Sequence, residues 1–549
     1  MNLFARTLKS FSGKERWVAG AFLIVFIGSL FSVIFQTFFT FDLDQSKTYT
    51  EGIVGEITHL NPVFTEFSQA DADISSLIFS GLSKYNPQTA SFEEDLATHI
   101  LSGDKLVYTF TLKNDIFWQD GTPVSGDDIY FTFAEVIQSP DFSNLLLKSN
   151  FDGVKIEQPN TRTVTFTLNS PNSFFFTSLT VGLLPKHILG EVPVADLDED
   201  DFNKMPIGTG PYKVEEPYSL NDDGSSSVTL TTNESYYGEK PNLETVRFIA
   251  YPTITDLIEN RSTWHGAAQI KESLMKEMDL TDLVSYEYEL PQYTALFLNT
   301  NSSKLTKNKE RLGISKAINK EELLATIEGA TQVDTPLLEL KQEESINQWN
   351  KEEAITALVD SGWELQEGNA YRVNESGETL TLRLLRRDFT GVNAPQEEMA
   401  KLTVETIQKQ LAEVGVEVVI EAYNADELSG KIRTRDYDML LYGQSLGYNL
   451  DTFAYWHSSQ ATETGFNLSS YQNPSADLLI EKIRDTFDAT EREELLKKLG
   501  TTISEDVPAV FLYTPTFYYL VDAKVEGVEF QKLLLPKDRL VNITKWKLQ

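Results

Sequence analysis

Gly443-Gln444-Ser445-Leu446-Gly447 sets a serine between two glycines directly after the apolar run Met439 to Tyr442, the G-x-S-x-G spacing of a nucleophile elbow. The chemistry would be acyl transfer. A serine attacks an ester or amide carbonyl, a histidine takes its proton, and an acid orients the histidine. Such enzymes draw the acid and then the histidine from later strands. After Ser445 the sequence holds a single histidine, His457, and the nearest acid, Asp451, lies between the two. Both are too close in sequence to Ser445 to come from separate later strands, so the hydrolase reading is disfavoured. The same glycines would equally let a loop backbone approach a bound ligand closely.

Metal chemistry has weaker support. Asp196 to Asp201, DLDEDD, begins like a calcium loop with alternate aspartates. Asp201 then stands where the loop needs glycine, and Ile207 where it needs a bidentate glutamate. A solvated acidic linker is the better reading. His59, His99, His187, His265 and His457 are scattered, with no H-x-x-x-H pair, and cysteine is absent, which removes thiolate metal sites, thiol catalysis and disulfides. Paired-carboxylate catalysis is not testable by counting, since 82 acidic residues offer too many pairs.

The elements that must position these groups alternate. Ile74 to Phe79 reads as a short helix capped by Asp73 and stopped by Gly81. Leu106 to Leu112 and Val164 to Leu168 read as strands, with Ser125-Gly126-Asp127-Asp128 as a capping box opening a helix through Ile137. Pro206 to Tyr212, PIGTGPY, is a rigid connector. Arg311 to Glu328 and Lys351 to Val359 have helical spacing, as do Asp477 to Phe487 and Glu491 to Ile503. Leu380 to Leu385 is a strand, Glu397 to Val414 a long amphipathic helix ended by Gly415, and Val416 to Glu421 the strand it delivers. Strand, helix, strand and then Met439 to Tyr442 is the order that builds a parallel sheet, whose strand ends are where ligands bind. An apolar run from Ala509 to Val521 and a final strand near Val541 to Trp546 close the chain.

A chain of 549 residues implies two or three domains, and 41% apolar content with 11% aromatics is ample for their cores. A formal charge of -35 repels phosphate backbones, so no nucleic-acid partner is expected. From Trp17 to Phe41 there is no charge at all. That is enough for one membrane-spanning helix, since about 20 apolar residues suffice. Arg6, Lys9, Lys14 and Arg16 precede it, and Asp42 and Asp44 follow. This bias keeps the N-terminus cytoplasmic and sends the rest outside. The alternative is a cleaved signal peptide, although no A-x-A-like site follows the run.

Several stretches, in this order, resemble the extracellular solute-binding proteins of family 5, the oligopeptide, dipeptide and nickel-type substrate-binding proteins of ABC importers. The two strongest are Phe110 to Phe133, FTLKNDIFWQDGTPVSGDDIYFTF, and Pro206 to Val214, PIGTGPYKV. Leu60-Asn61-Pro62, Gly81-Leu82, Ala317-Ile318-Asn319-Lys320, Gly362-Trp363, Tyr437-Asp438 and Tyr471-Gln472-Asn473-Pro474 are shorter and fall in the same order. The resemblance implies an α/β, type II periplasmic-binding-protein fold of the large three-lobed cluster C type, here preceded by one N-terminal transmembrane helix. The division it implies is a basic segment over 1–16 and an anchor over 17–41. Lobe I would be discontinuous over 45–82, 201–291 and 507–549, lobe II would cover 83–200, and lobe III 292–506. Hinge crossings are expected near Tyr293 to Leu298 and Phe511 to Tyr513.

The same resemblance implies a binder, not an enzyme, with no cofactor. It would be a monomeric, membrane-anchored ectodomain that captures a peptide or other small polar ligand by hinge closure and delivers it to a permease and its ATPase. A membrane-anchored ligand sensor or an export-associated chaperone on the same fold stays open. In the family's peptide binders, a segment corresponding to Phe67 to Gln69 bonds the peptide main chain, and the loop corresponding to Gln444 to Asp451 carries an aspartate for the α-amino group. That position is Gly447 here. An ammonium buried without its carboxylate is costly, so ordinary free-amine peptides are in doubt, and Asp451 is the substitute within reach. Leu446, Tyr448 and Asn449 complete the expected loop contacts, with Gln444 before them, Tyr293 at the hinge and Trp456 beyond. For Tyr448, Tyr455 and Trp456, core packing and cleft lining are both open.

Overall fold

The strand Ala509–Asp522 runs through the middle of a mixed sheet and belongs to both of its halves. Its first residues pair antiparallel with Gln292–Leu298, its last with Leu283–Glu289 and Gly266–Ile270. Outward from Gly266–Ile270 follow Thr48–Val54, Thr245–Tyr251, Ser226–Thr232 and Tyr212–Leu220. Outward from Gln292–Leu298 follow Met439–Ser445, Thr381–Arg387 and Glu417–Tyr423. The computed structural model describes residues 47–65, 68–221, 223–276, 278–338, 340, 347–390, 394–448 and 450–549. The expected membrane-spanning segment 17–41 lies outside them. Among the described residues no helix is long and apolar enough to cross a membrane.

The half that carries the serine loop is built as its sequence order suggests. Thr381–Arg387 pairs in parallel with Glu417–Tyr423, the helix Ala394–Ala412 makes the crossover, and Met439–Ser445 joins the other edge of Thr381–Arg387 in parallel. Side chains alternate across this sheet. Leu296, Leu298, Met439 and Leu441 enter one core, while Ala295, Phe297 and Leu440 enter the core on the opposite face. Burial on both faces is why Met439 to Leu441 is continuously apolar. A separate antiparallel sheet orders Ala97–Leu101, Val107–Leu112, Thr163–Thr167 and Lys155–Asn160, and it shares one continuous core with the first half of the large sheet.

Four local expectations change. The chain passes between the half-sheets at Leu290-Pro291, between Leu283–Glu289 and Gln292–Leu298, and again along the long strand between Tyr513 and Thr516. Tyr293 to Leu298 therefore lie inside the second half, paired with Met439–Ser445, rather than at a crossing. Near Phe511 to Tyr513 the register slips instead. The helix expected from Asp73 begins earlier, as Gln69–Ile78, because the Ser68 side chain accepts from the Asp71 N–H. Arg311 to Glu328 forms two helices, Asn308–Ala317 and Lys320–Thr326, since Asn319 caps the second.

The fourth change is the segment Val541 to Trp546, expected as the final strand, where 3₁₀ turns at Pro536–Leu540 and Ile543–Lys545 precede a two-residue strand, Lys547–Leu548, paired with Val525–Glu526. The buried residues Leu540, Ile543 and Trp546 fall at every third position, the period of a 3₁₀ turn and not of a strand. The PIGTGP connector packs on the C-terminal end of Gln69–Ile78, where Gly210 N–H donates to the Ile78 carbonyl at 2.7 Å. A Cβ on Gly208 would lie 2.0 Å from that same oxygen, so the glycine there serves close approach.

Candidate functional site

Ser445 ends its strand opposite Gln292, and Leu446 N–H donates 2.8 Å to the Pro291 carbonyl at the crossing between the half-sheets. The chain then turns through Gly447, whose φ of +54° is in the left-handed region. This delivers Tyr448 onto the opposite side. There its ring meets Tyr85 and Phe92 with centroids 5.9 and 5.6 Å away, and its hydroxyl donates to the Asp538 carboxylate. Behind that contact lies a cavity of about 500 Å³. One wall is Leu446, Gly447, Asp451 and Tyr455, and the facing walls are the helix Gln69–Ile78, residues 177–182 and Leu535 to Lys537. The volume suits a small ligand.

Five of the expected contacts line this cavity: Gln69, Leu446, Gly447, Tyr448 and Asp451. Tyr293 and Gln444 are buried and joined by a hydrogen bond from the tyrosine hydroxyl to the amide oxygen. They line a neighbouring cavity of about 480 Å³ by the crossing strands, and Ser445 borders both cavities. Trp456 is 1% exposed and lines neither. It packs into the core with Phe297, Phe511 and Tyr471. Phe67 and Asn449 lie outside the described residues. Residues the sequence did not point to complete the main cavity: Asn144, Leu147, Thr177 and Lys537. No motif marks them, because elements distant in sequence bring them together.

Charge at the site is organised by buried pairs. The Arg539 guanidinium, fully buried, donates to both Glu51 and Asp73, and Glu51 also accepts from the hydroxyls of Tyr49 and Tyr519. The other Asp73 oxygen accepts from the Gln69 amide, so one wall of the cavity is tied to this network. Asp451 pairs with Arg484 at 3.0 Å and accepts from Phe453 N–H at 3.0 Å. Burial pushes its carboxyl above the ordinary range, with Arg484 opposing. Its charge is thus already answered within the protein. Asp538 accepts from the N–H groups of Leu534 and Leu535 at 2.9 and 2.8 Å as well as from Tyr448, and burial pushes it up to about 6.

Among the described residues Ser445 has none of the partners a nucleophile requires. It remains in register within its strand, with no strained strand-to-helix turn. His457 Nδ1 pairs with Ser459 Oγ at 2.8 Å, and its Nε2 faces Glu481 at 3.4 Å. Among the described residues no three metal-ligating side chains form a group, and the DLDEDD segment lies between two short 3₁₀ turns.

Residues 91–466 match the family model for bacterial extracellular solute-binding proteins, family 5 Middle. The chain belongs to this family. As a family 5 protein it is a solute-binding protein and not an enzyme. It is 26% identical over 531 residues to the oligopeptide-binding protein AppA of Bacillus subtilis, an alignment covering 92% of each chain. The nickel-binding periplasmic protein of Escherichia coli is 24% identical over 472 residues, covering 82% of this chain and 86% of that one. Among solved structures, AppA in complex with a nonapeptide superposes with a TM-score of 0.73 at 24% identity, covering 91% of this chain and 99% of that chain. NikZ from Campylobacter jejuni in complex with Ni(L-His) gives 0.74 at 24% identity and the same coverage. These likenesses establish the periplasmic-binding α/β fold of the family 5 protein.

Proposed function

We propose that this chain is the membrane-anchored, extracellular substrate-binding protein of an ABC importer. It captures a peptide or other small polar solute between its two halves and delivers it to a permease. The observation that carries the reading is the main cavity itself, whose walls come from both halves of the molecule and whose mouth is bridged by Tyr448. Because among the described residues the chain crosses between half-sheets at two places, opening and closing about Leu290-Pro291 and Tyr513 to Thr516 is the functional motion. Relatives named as oligopeptide-, dipeptide- and nickel-binding proteins agree with solute capture. The uncharged run 17–41 behind a basic segment supports a retained anchor, with the N-terminus cytoplasmic and a monomeric ectodomain on the outer face of the cell membrane.

Native mass spectrometry of the purified protein tests capture directly, with the expected result a stoichiometric small solute released on denaturation. Pull-down from its own membranes tests delivery. Recovery of a permease and ATPase is expected, whereas recovery of a sensor kinase or a secretion machine would replace import by sensing or chaperoning.

A further inference from the structure

The main cavity is lined largely by uncharged polar and small apolar side chains, and among the described residues only Asp451 and Lys537 bring charge to its wall. Asp451 is committed to Arg484. Lys537 is different. Its ammonium has no hydrogen-bond or ion-pair partner among the described residues and rests 5.5 Å from the centre of the Tyr448 ring. The neighbouring carboxylate, Asp538, is engaged by Tyr448, Leu534 and Leu535. The nearby Asp73 is engaged by Arg539 and Gln69.

A ring face answers an ammonium only weakly compared with an anion when the site is desolvated. Lys537 is half-buried, and burial pushes it below the usual lysine range with Asp538 and Asp73 opposing. In a chain of formal charge -35, the one uncommitted ionic group among the described residues of the cavity is positive.

We propose that the solute carries a carboxylate and that Lys537, projecting from the 535–537 wall, is the residue that pairs with it. This rests on the solute-binding reading above and adds the charge of the ligand to it. It also inverts the arrangement expected from the family's peptide binders, in which the loop's fixed charge is an anion for the ligand's amino group. Here Gly447 supplies no charge and the facing wall supplies a cation. The carboxylate can be a peptide's C-terminus or belong to a non-peptide acid.

The test is equilibrium dialysis of the purified full-length protein in detergent against two probe sets, read by mass spectrometry. One set is N-acetylated dipeptides to pentapeptides as free acids and as C-terminal amides. The other is a mixture of hydroxy and dicarboxylic acids with their methyl esters. The acid forms of one set should be retained at least tenfold over their neutral forms, and which set is retained identifies the source of the carboxylate. Lys537→Met should bring that ratio close to one, and Lys537→Arg should keep it. Thermal melting verifies that each variant is folded, and Lys537→Arg carries the comparison if Lys537→Met is not. Equal retention of acids and neutral forms by the wild type, or a ratio that survives Lys537→Met or is lost in Lys537→Arg, would overturn the proposal. If the folded wild type retained nothing from either set, the proposal would be overturned, while solute capture itself stands or falls separately on the native mass spectrometry above.

Discussion

The Tyr448 hydroxyl donates to the carboxylate of Asp538, joining the loop after Met439–Ser445 to the opposite wall of the cavity. It is backed by aromatic contact with Tyr85 and Phe92, and a second tie between the same sides runs from Ser173 N–H to the Arg484 carbonyl at 2.7 Å. Burial raises the tyrosine well above its ordinary range, with Asp538 adding to the effect, so it remains a donor. A hydrogen bond to a charged group contributes about 1.5–3 kcal/mol. Tyr448→Phe removes it while leaving Asp538 its two backbone donors, so the loss should fall at the lower end. The expected outcome is a melting temperature lower by a few degrees, together with a larger radius of gyration in small-angle scattering. A variant that melts and scatters like the wild type would mean that the bridge does not hold the halves together.

Asp538 also makes stability depend on pH. Its folded-state carboxyl is pushed up to about 6 by burial, with the Tyr448 hydroxyl and the Leu534 and Leu535 N–H groups opposing, against roughly 3.9 in an unfolded chain. Between those values the folded protein holds more protons than the unfolded one, so this group's contribution is fully present below about 4 and is lost as pH rises through about 6. Melting curves from pH 4 to 7 should therefore show the wild type losing ground to Asp538→Asn as pH rises, and running parallel to it above that window. A constant offset at all pH values would contradict the assignment.

The Arg539 network is the most sensitive point of the interior. Arg539→Met leaves Glu51 and Asp73 as buried carboxylates without their cation, and breaking a buried pair in this way typically costs about 3–5 kcal/mol. Chemical denaturation should show a clearly earlier midpoint than for Arg484→Met, which removes one cation from one buried carboxylate, Asp451, where Arg539→Met strips two. Equal midpoints would place the two on the same footing and remove the case for a central network.

Gly447→Asp probes the empty amino-group position. The left-handed backbone there disfavours most side chains, but aspartate is among the residues that tolerate it, and a Cβ would meet Leu535 Cδ2 at 3.5 Å, an ordinary contact. The structural cost should be about 1 kcal/mol. The gain should be in selectivity: calorimetry with trialanine and N-acetyltrialanine should shift toward the free amine in Gly447→Asp and not in Gly447→Ala. No shift would mean that the ligand's amino end does not reach this turn.

Met439–Ser445 was legible because Met439 to Leu441, buried on both faces, reads as an unbroken apolar run, whereas Ala509–Asp522 stood out only as an apolar, aromatic stretch interrupted by Thr514-Pro515-Thr516, a pattern that did not by itself mark one long strand. The long crossover helix was equally plain. The C-terminal segment misled because Leu540, Ile543 and Trp546 are apolar at a spacing that a short window does not separate from a strand. Ser68 and Asp73 are capping types of similar strength, so residue type alone did not place the start of this helix, and Asp73 is instead committed to Arg539 far along the chain. The loop from Gln444 to Asp451 was found through its glycines and its place after a strand. Lys537 was not, since its significance depends on which partners it lacks, and that is visible only once the fold has assigned Asp538 and Asp73 elsewhere.

The strand Ala509–Asp522 sits between Gln292–Leu298 and Gly266–Ile270 and, among the described residues, is the one strand that joins the two half-sheets. The outer strands of each half pair among themselves without it. Fraying at the middle of this strand would therefore uncouple the halves before it unfolded either of them, so the two should behave as separate cooperative units tied by a shared seam.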